Sequence, residues 1–336
     1  MNHEYIHVTS LAMPELSIYA SCSEAQLAHY FEPAGGLFIA ESVPVVERAL
    51  DTGYRPYSML INEEVLEKPR VKALLERVGK SAAEIRSEPF ENCQRCDAES
   101  IIILKSDGRV RDRMCDAEEM SALQNGAGIA MDPVAEKQPV IYTAPRPVLD
   151  ELTGFYLTGG VLCAMHRKAP LSAQELYAGA SRLAVLENVT NPTNVGAIFR
   201  SAAALGMDGV LLGPGCADPL YRRCIRVSMG TVFQIPWAHG QTDDVAGELH
   251  RAGFRTVAMA LEEESVSLRE LVIESKEKAA VLLGNEGYGL KPETIRGCDT
   301  VVMIPMQNQV DSLNVAAASA VVFWAVGQTV RKPIVP

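Results

Sequence analysis

Three blocks of the sequence gather residue types that chemistry uses. The first, Leu183–Gly206 (LAVLENVTNPTNVGAIFRSAAALG), is a short apolar run, a polar Asn/Pro/Thr stretch, and then Val195, Ile198, Phe199, Ala202 and Leu205 at helical spacing. The spacing predicts a strand over 183–186 and a helix that restarts at Asn194 and is closed by Gly206, with Arg200 on its second turn as the one strong cation. The second block, LLGNEGYGL at 282–290, enters a loop where Gly284, Gly287 and Gly289 let backbone approach a ligand closely. Such a loop suits a flat adenine held by main-chain N–H and C=O groups. In the third, IPMQNQVDSLNVAAASAV at 304–321, Pro305 ends a strand, a polar loop follows, and Asp311 or Ser312 is placed to cap the terminal helix. Taken singly, the second and third blocks also read as ordinary strand-to-helix turns.

Two further groupings carry a chemical option. Arg222, Arg223 and Arg226 in DPLYRRCIRVSMG form a basic cluster with Asp218 as its nearby acid; charge alone fits a solvated helix face as well as a phosphate site. Cys93-x2-Cys96, followed by Cys115, has part of a zinc-site spacing. The surrounding stretch has no histidine and its next cysteine is Cys163, so reduced thiols and no metal are expected.

The elements that must position these residues alternate. From 181 onward strands are expected near 183–186, 209–212, 232–235, 255–260, 279–284 and 301–304, and helices near 194–205, 219–229, 243–252, 266–274, 291–296 and 313–330. That alternation predicts an α/β fold with a parallel sheet and helices on both faces, and ligands at the carboxyl edge of the strands. No G-x-G-x-x-G follows the first strand, which sets a dinucleotide-binding dehydrogenase aside. Upstream, LFIAESVPVVERALDTGYRPYSMLI reads as a βαβ start: a strand at Leu37–Ala40, a helix with Val43, Val46 and Leu50 inward, a stop at Gly53, and a strand at Tyr57–Ile61. A last helix and a strand at Gly160–Met165 follow in 148–167, and residues 169–180 read as a linker with a short helix.

In their order, the three blocks resemble the signature motifs of the SpoU/TrmH family of SPOUT RNA 2'-O-ribose methyltransferases, over most of residues 180–327. The resemblance implies a SPOUT methyltransferase domain at 181–336 with a deep trefoil knot, a rare exception to unknotted topology. It implies S-adenosylmethionine as cofactor, bound in the knot through backbone at Gly284, Ile304 and Leu313, with Leu283, Gly289 and Met306 beside them. A Cβ at Gly284 is then expected to intrude on that cofactor. It assigns catalysis to Arg200, oriented by Asn194, with Glu286, Ser312 and Asn314 fixing the loops and the substrate. An arginine is a poor base, so its role would be to stabilise the developing alkoxide and clamp phosphate. Arg222, Arg223 and Arg226 would then meet RNA phosphates.

Residues 1–168 resemble the small α/β substrate-binding domain, similar to a ribosomal-protein fold, that precedes the SPOUT domain in this family. An insert at about 84–138 has no counterpart. The chain departs from the family at Ser42 and Asn308, where glycine is common, and at HYFEPAGG, where basic residues are common. Asn tolerates left-handed backbone, so the loop at 308 is expected to survive.

Composition bounds the reading. The 336 residues, 48% hydrophobic, suffice for two domains of ordinary size. The longest apolar run, Val315–Val326, is too short to span a bilayer, and MNHEYIHVTS lacks the features of a signal peptide, so a cytoplasmic protein without a membrane partner is expected. The net charge of −11 is awkward for an RNA partner, so binding must rely on local patches. The terminal helix is apolar all round: Val315, Ala318, Val322, Phe323 and Val326 on one stripe, Ala316, Ala317, Ala320 and Trp324 on the other. One side is expected on the sheet and the other against a second copy in a homodimer. Ribosomal RNA is expected over transfer RNA; the alternative is a non-catalytic RNA-binding protein of the same architecture.

Overall fold

The computed structural model describes residues 5–11, 13–32, 35–84, 138–153, 159–240, 244–308 and 310–327. Met1–Glu76 and Pro139–Pro336 cluster together and hold two sheets, while Arg77–Gln138 clusters separately and lies almost wholly outside the described residues, as do Cys93, Cys96 and Cys115.

The first sheet contains β1 (Tyr5–His7), β2 (Leu37–Glu41), β3 (Pro56–Asn62), β4 (Val140–Ala144) and β5 (Val161–His166) in the order β1-β4-β3-β5-β2. Strands β1, β4 and β3 run parallel, and β5 is antiparallel to both β3 and β2. The βαβ start is present as β2, α3 (Val43–Asp51) and β3, with Gly53 at φ +77 ending the helix, but β5 lies between its two strands. The helices α1 (Ser17–Ala20), α2 (Glu24–Ala28) and α5 (Arg146–Thr153) lie on one side of this sheet, where Ile18, Leu27 and Leu149 meet Ile39, Leu60 and Leu162. A longer helix, α4 (Pro69–Glu84), follows β3.

The second sheet has seven strands, all parallel: β6 (Arg182–Leu186), β7 (Gly209–Leu212), β8 (Trp237–His239), β9 (Arg255–Met259), β10 (Val266–Ser267), β11 (Ala279–Leu283) and β12 (Thr300–Met303). Their order is β10-β12-β9-β11-β6-β7-β8. The central strands β6 and β11 are buried at every position, as a parallel strand covered on both faces must be. Helices α6 (Ala173–Gly179), α7 (Pro192–Ala204), α8 (Arg222–Val227), α9 (Val245–Arg251), α10 (Pro292–Gly297) and α11 (Val315–Val326) complete it. Ser172 opens α6 with a reciprocal capping box to Glu175.

Two expected elements are replaced. At 232–235 the chain makes a single 3-10 turn, Thr231–Phe233, entered through Gly230 at φ +79; the strand forms only after Pro236. Phe233 is needed elsewhere, since its ring packs 5.4 Å from Phe38 and 5.1 Å from Tyr54 of the first sheet. At 266–274 there is no helix: Val266 and Ser267 pair with β12 as an edge strand, and Val272 is 72% exposed. A helical stripe without a surface to cover yields to edge pairing.

The terminal helix α11 buries Val315, Ser319, Val322, Phe323 and Val326, chiefly against α7 rather than against the sheet as expected, while Val321 (41% exposed) and Trp324 (79%) face outward. Its carboxyl end is held by buried Arg182, which donates to Val326 O at 2.8 Å and to the main-chain oxygens of Glu274 and Glu277. No described helix is long and apolar enough to cross a membrane.

Candidate functional site

Strands β6, β9, β11 and β12 run parallel, so Glu187, Ala260, Gly284 and Ile304 leave the sheet at one edge. At that edge the chain after β6 starts α7 two residues earlier than the apolar pattern suggests: Asn191 is the cap, accepting from Thr193 N at 2.8 Å, and Pro192 takes the first helical position, where its missing N–H costs nothing. Asn194 is therefore inside the first turn and buried. Its amide nitrogen donates to Glu286 Oε1, and its Oδ1 accepts from Asn314 Nδ2 at 3.3 Å. One residue from each of the three sequence blocks thus joins a single hydrogen-bonded chain. Asn314 also caps α11 by accepting from Ala316 N at 2.9 Å, the task expected of Asp311 or Ser312, both of which are exposed.

The glycine loop is braced from within. Asn285 Oδ1 accepts from Gly287 N (2.8 Å) and Tyr288 N (3.2 Å), and the main chains of Asn285 and Gly289 exchange bonds of 3.0 and 2.9 Å. Gly289 sits at φ +69 with open space where a Cβ would stand. Gly284 differs: a Cβ there would lie 2.2 Å from Gly289 C and 2.3 Å from Leu290 N, so the loop's own return, not a ligand, is what this glycine admits. Leu283 and Gly284 are buried, Ile304 and Met306 half-buried, and Leu313 is 39% exposed. Asn314 reaches Asn194, which in turn reaches Glu286, so the start of α11 is tied to the ends of β6 and β11 although β12 lies beyond β9 in the sheet. Asn308, midway, adopts φ +56, the left-handed conformation that glycine or asparagine takes at little cost.

Glu187 and Asn285 are the residues that the sequence patterns did not single out. Glu187 is buried, and its carboxylate accepts from Lys291 N at 2.6 Å and Thr294 Oγ1 at 2.5 Å, capping α10 where the helix leaves the glycine loop. Asn285 Nδ2 donates to Asn188 O at 2.8 Å and ties the glycine loop to the loop after β6.

The cations divide. Arg200 is exposed on the third turn of α7, and among the described residues it has no hydrogen bond or ion pair. It stands six residues beyond Asn194, about 9 Å along the axis and about 240° around it. Asn194 bonds Glu286 and Asn314, and among the described residues no hydrogen bond joins it to Arg200 or brings Ser312 into the bonded chain. Arg222 is engaged internally: its Nε lies 3.3 Å from Glu41 Oε2 and its main-chain N donates to Glu24, whose carboxyl is pushed up by burial. Asp218 is taken by Arg167 at 2.6 Å. Arg223 is exposed and donates to Thr193 Oγ1 at 3.1 Å, and Arg226 is half-buried. Of the expected basic patch, Arg223 is the member turned outward. Among the described residues no His, Cys, Asp or Glu grouping could hold a metal ion.

Residues 181–324 match the SpoU rRNA Methylase family model. The chain is 43% identical over 187 residues to an uncharacterized tRNA/rRNA methyltransferase of Mycobacterium tuberculosis (strain CDC 1551 / Oshkosh), covering 54% of this chain and 64% of that one. It is 31% identical over 151 residues to the 23S rRNA (guanosine(2553)-2'-O)-methyltransferase RlmP of Bacillus subtilis (strain 168), covering 45% of this chain and 60% of the relative. The chain thus spans just under two thirds of these relatives' length. In fold it is similar to an AdoMet-bound rRNA methyltransferase from Sinorhizobium meliloti, with a TM-score of 0.66 at 22% identity over 96% of this chain and 97% of the other. The match thus assigns residues 181–324, the segment in which all three blocks lie, to the SpoU rRNA methylase family.

Proposed function

We propose that this protein transfers the methyl group of S-adenosylmethionine to a ribose 2'-hydroxyl of structured RNA, ribosomal RNA rather than transfer RNA. The observation that carries the reading is the bonded chain Glu286–Asn194–Asn314, which draws the three blocks to one edge of the parallel sheet. The Bacillus subtilis relative is named as a 2'-O-methyltransferase of 23S rRNA, and the Sinorhizobium meliloti neighbour is described with AdoMet bound, which supports both substrate class and cofactor.

The residues present fit that cofactor. Gly289 offers bare left-handed backbone with open space beside it, and Ile304, Met306 and Leu313 are apolar residues that are not fully buried, on the chain that follows β12. Main-chain groups of Gly284, Ile304 and Leu313 would hold an adenosyl group there, with Leu283 beneath. When bound, S-adenosylmethionine supplies a sulfonium methyl that a hydroxyl oxygen can attack in line. The chain's own part is positioning and charge. Arg200 stabilises the forming alkoxide and clamps phosphate; its planar fork suits two oxygens at once. Glu286 keeps Oε2 for a substrate hydroxyl, since Asn194 engages Oε1. Ser312, exposed beside Leu313, contacts substrate, and Arg223 with Arg226 meets RNA phosphates.

The same reading takes residues 1–168 as the RNA-substrate domain, 169–180 as linker and 181–336 as the methyltransferase domain with its trefoil knot. The outward face of α11, with Val321 and Trp324, pairs two copies into a homodimer. Calorimetry with S-adenosylmethionine, together with a map of ribose methylations in RNA from a deletion strain, tests the proposal. Binding plus the loss of one ribosomal 2'-O-methyl group is expected. A chain that binds RNA but no S-adenosylmethionine would be a non-catalytic RNA-binding protein instead.

A further inference from the structure

We propose that Tyr288 is a stacking platform for a base of the RNA substrate, held beside the reacting ribose by the turn Asn285–Gly289. This rests on the methyltransferase reading and adds a residue that positions the substrate. Tyr288 is 93% exposed, more than any other large apolar or aromatic side chain among the described residues. The backbone beneath it is fixed: Tyr288 N and Gly287 N both donate to Asn285 Oδ1, the main chains of Asn285 and Gly289 are bonded in both directions, and Asn285 Nδ2 ties the turn to Asn188 O. The main chain that carries the ring is thus fixed, and the ring itself stands in solvent. Two residues before it, Glu286 hydrogen-bonds Asn194, which places Tyr288 within about 7 Å of main chain from the site's bonded core.

The surroundings indicate what covers the ring. Its neighbours on the turn, Glu286, Gly287 and Gly289, are exposed and bring no apolar side chain. A protein interface rings its aromatic anchors with further apolar contacts, and the residues flanking Tyr288 on its turn supply none. The Glu286 carboxylate repels phosphate, so an approaching nucleotide presents its uncharged base face. A tyrosine with two rotatable bonds on a rigid turn loses little freedom on stacking, and every base offers a π face.

The test uses the full-length protein and one RNA fragment that the wild type methylates, with Tyr288→Ala and Tyr288→Phe beside it. KM for RNA and kcat are measured, with S-adenosylmethionine affinity by calorimetry and oligomeric mass by sedimentation. Tyr288→Ala is expected to raise KM for RNA by about 5- to 150-fold, the span of a single stacked base, with cofactor affinity and mass unchanged. Tyr288→Phe, which keeps the π face, is expected to stay close to wild type. An unchanged KM in Tyr288→Ala overturns the proposal. So does a change in oligomeric mass, which puts the ring against a second copy, or in cofactor affinity, which puts it against S-adenosylmethionine. If the wild type methylates no RNA, the methyltransferase reading fails, and the role of Tyr288 fails with it.

Discussion

Gly284→Ala is the substitution whose cost can be worked most directly from the coordinates. The added Cβ would stand 2.2 Å from Gly289 C, 2.3 Å from Leu290 N and 2.4 Å from Gly289 O, whereas non-bonded carbons rest at about 3.5–4.0 Å. All three obstacles are backbone, so the return of the loop must retreat by about 1.5 Å. That movement breaks the two-way bond between Asn285 and Gly289, at about 0.5–1.5 kcal/mol each way, and lifts Leu290, which is buried at 4% exposure. A total of about 2–4 kcal/mol follows, or a Tm lower by about 5–15 °C. Glu286 moves with the loop and leaves Asn194, so S-adenosylmethionine affinity is expected to fall by about tenfold or more. Gly287→Ala is the internal control. Its Cβ would meet only Asn285 Oδ1 at 3.4 Å, an ordinary contact, and stability should stay within about 0.5 kcal/mol of wild type. Scanning calorimetry and a cofactor titration on both variants decide it. A Gly284→Ala protein as stable as Gly287→Ala would show that the loop does not fold back on itself as described.

Three other outcomes follow from single contacts. Ser42 holds φ +81 and ψ 150, a region that glycine occupies freely and other residues only at about 1–3 kcal/mol; Ser42→Gly should therefore raise Tm by a few degrees, and Ser42→Ala should not. Asp299 resists protonation: burial acts to raise its pKa, but the Thr256 N–H and hydroxyl and the His250 ring outweigh it and leave it below the usual carboxylate range. A depressed folded-state value stabilises above the unfolded pKa and is lost as pH falls through the lower folded one, so the wild type should lose stability on acidification below about pH 4, and Asp299→Asn should flatten that limb in urea midpoints measured against pH. Arg182→Lys should lower the urea midpoint by the equivalent of about 1–3 kcal/mol, because one ammonium cannot reach the main-chain oxygens of Val326, Glu274 and Glu277 together.

How much of this was legible beforehand depends on where each residue's partner lies. Strands β6, β7, β9, β11 and β12 were readable because each is a short apolar run in a sheet covered on both faces. Strands β1 and β4 were not: they pair with each other across more than a hundred residues, and β4 begins just after the long insert. The apolar run at 232–235 misled because Phe233 is drawn into a ring cluster with Phe38 and Tyr54, which no local pattern records. At the site, Asn194, Glu286 and Asn314 could be named from the blocks alone, but their bonds to one another could not. Arg222 shows the same limit from the other side: its partner Glu41 lies 181 residues earlier, so a cluster that reads as a free basic patch has one member already engaged. Ser42 and Asn308, flagged where glycine is common, are both at positive φ, and there the chain's departures from pattern had a backbone meaning.

The central claim is tested most directly by single-turnover methyl transfer from S-adenosylmethionine to a cognate RNA, with wild type compared with Arg200→Ala and the product nucleosides identified by mass spectrometry. Arg200 is exposed on α7, and alanine keeps that helix and its apolar stripe, so folding and cofactor affinity should stay close to wild type. The wild type is expected to yield a 2'-O-methylated nucleoside, and Arg200→Ala to form it about a hundredfold or more slowly, as when a preorganised charge is removed. A methyl group on a base, or an alanine variant that transfers methyl at the normal rate, would contradict the account.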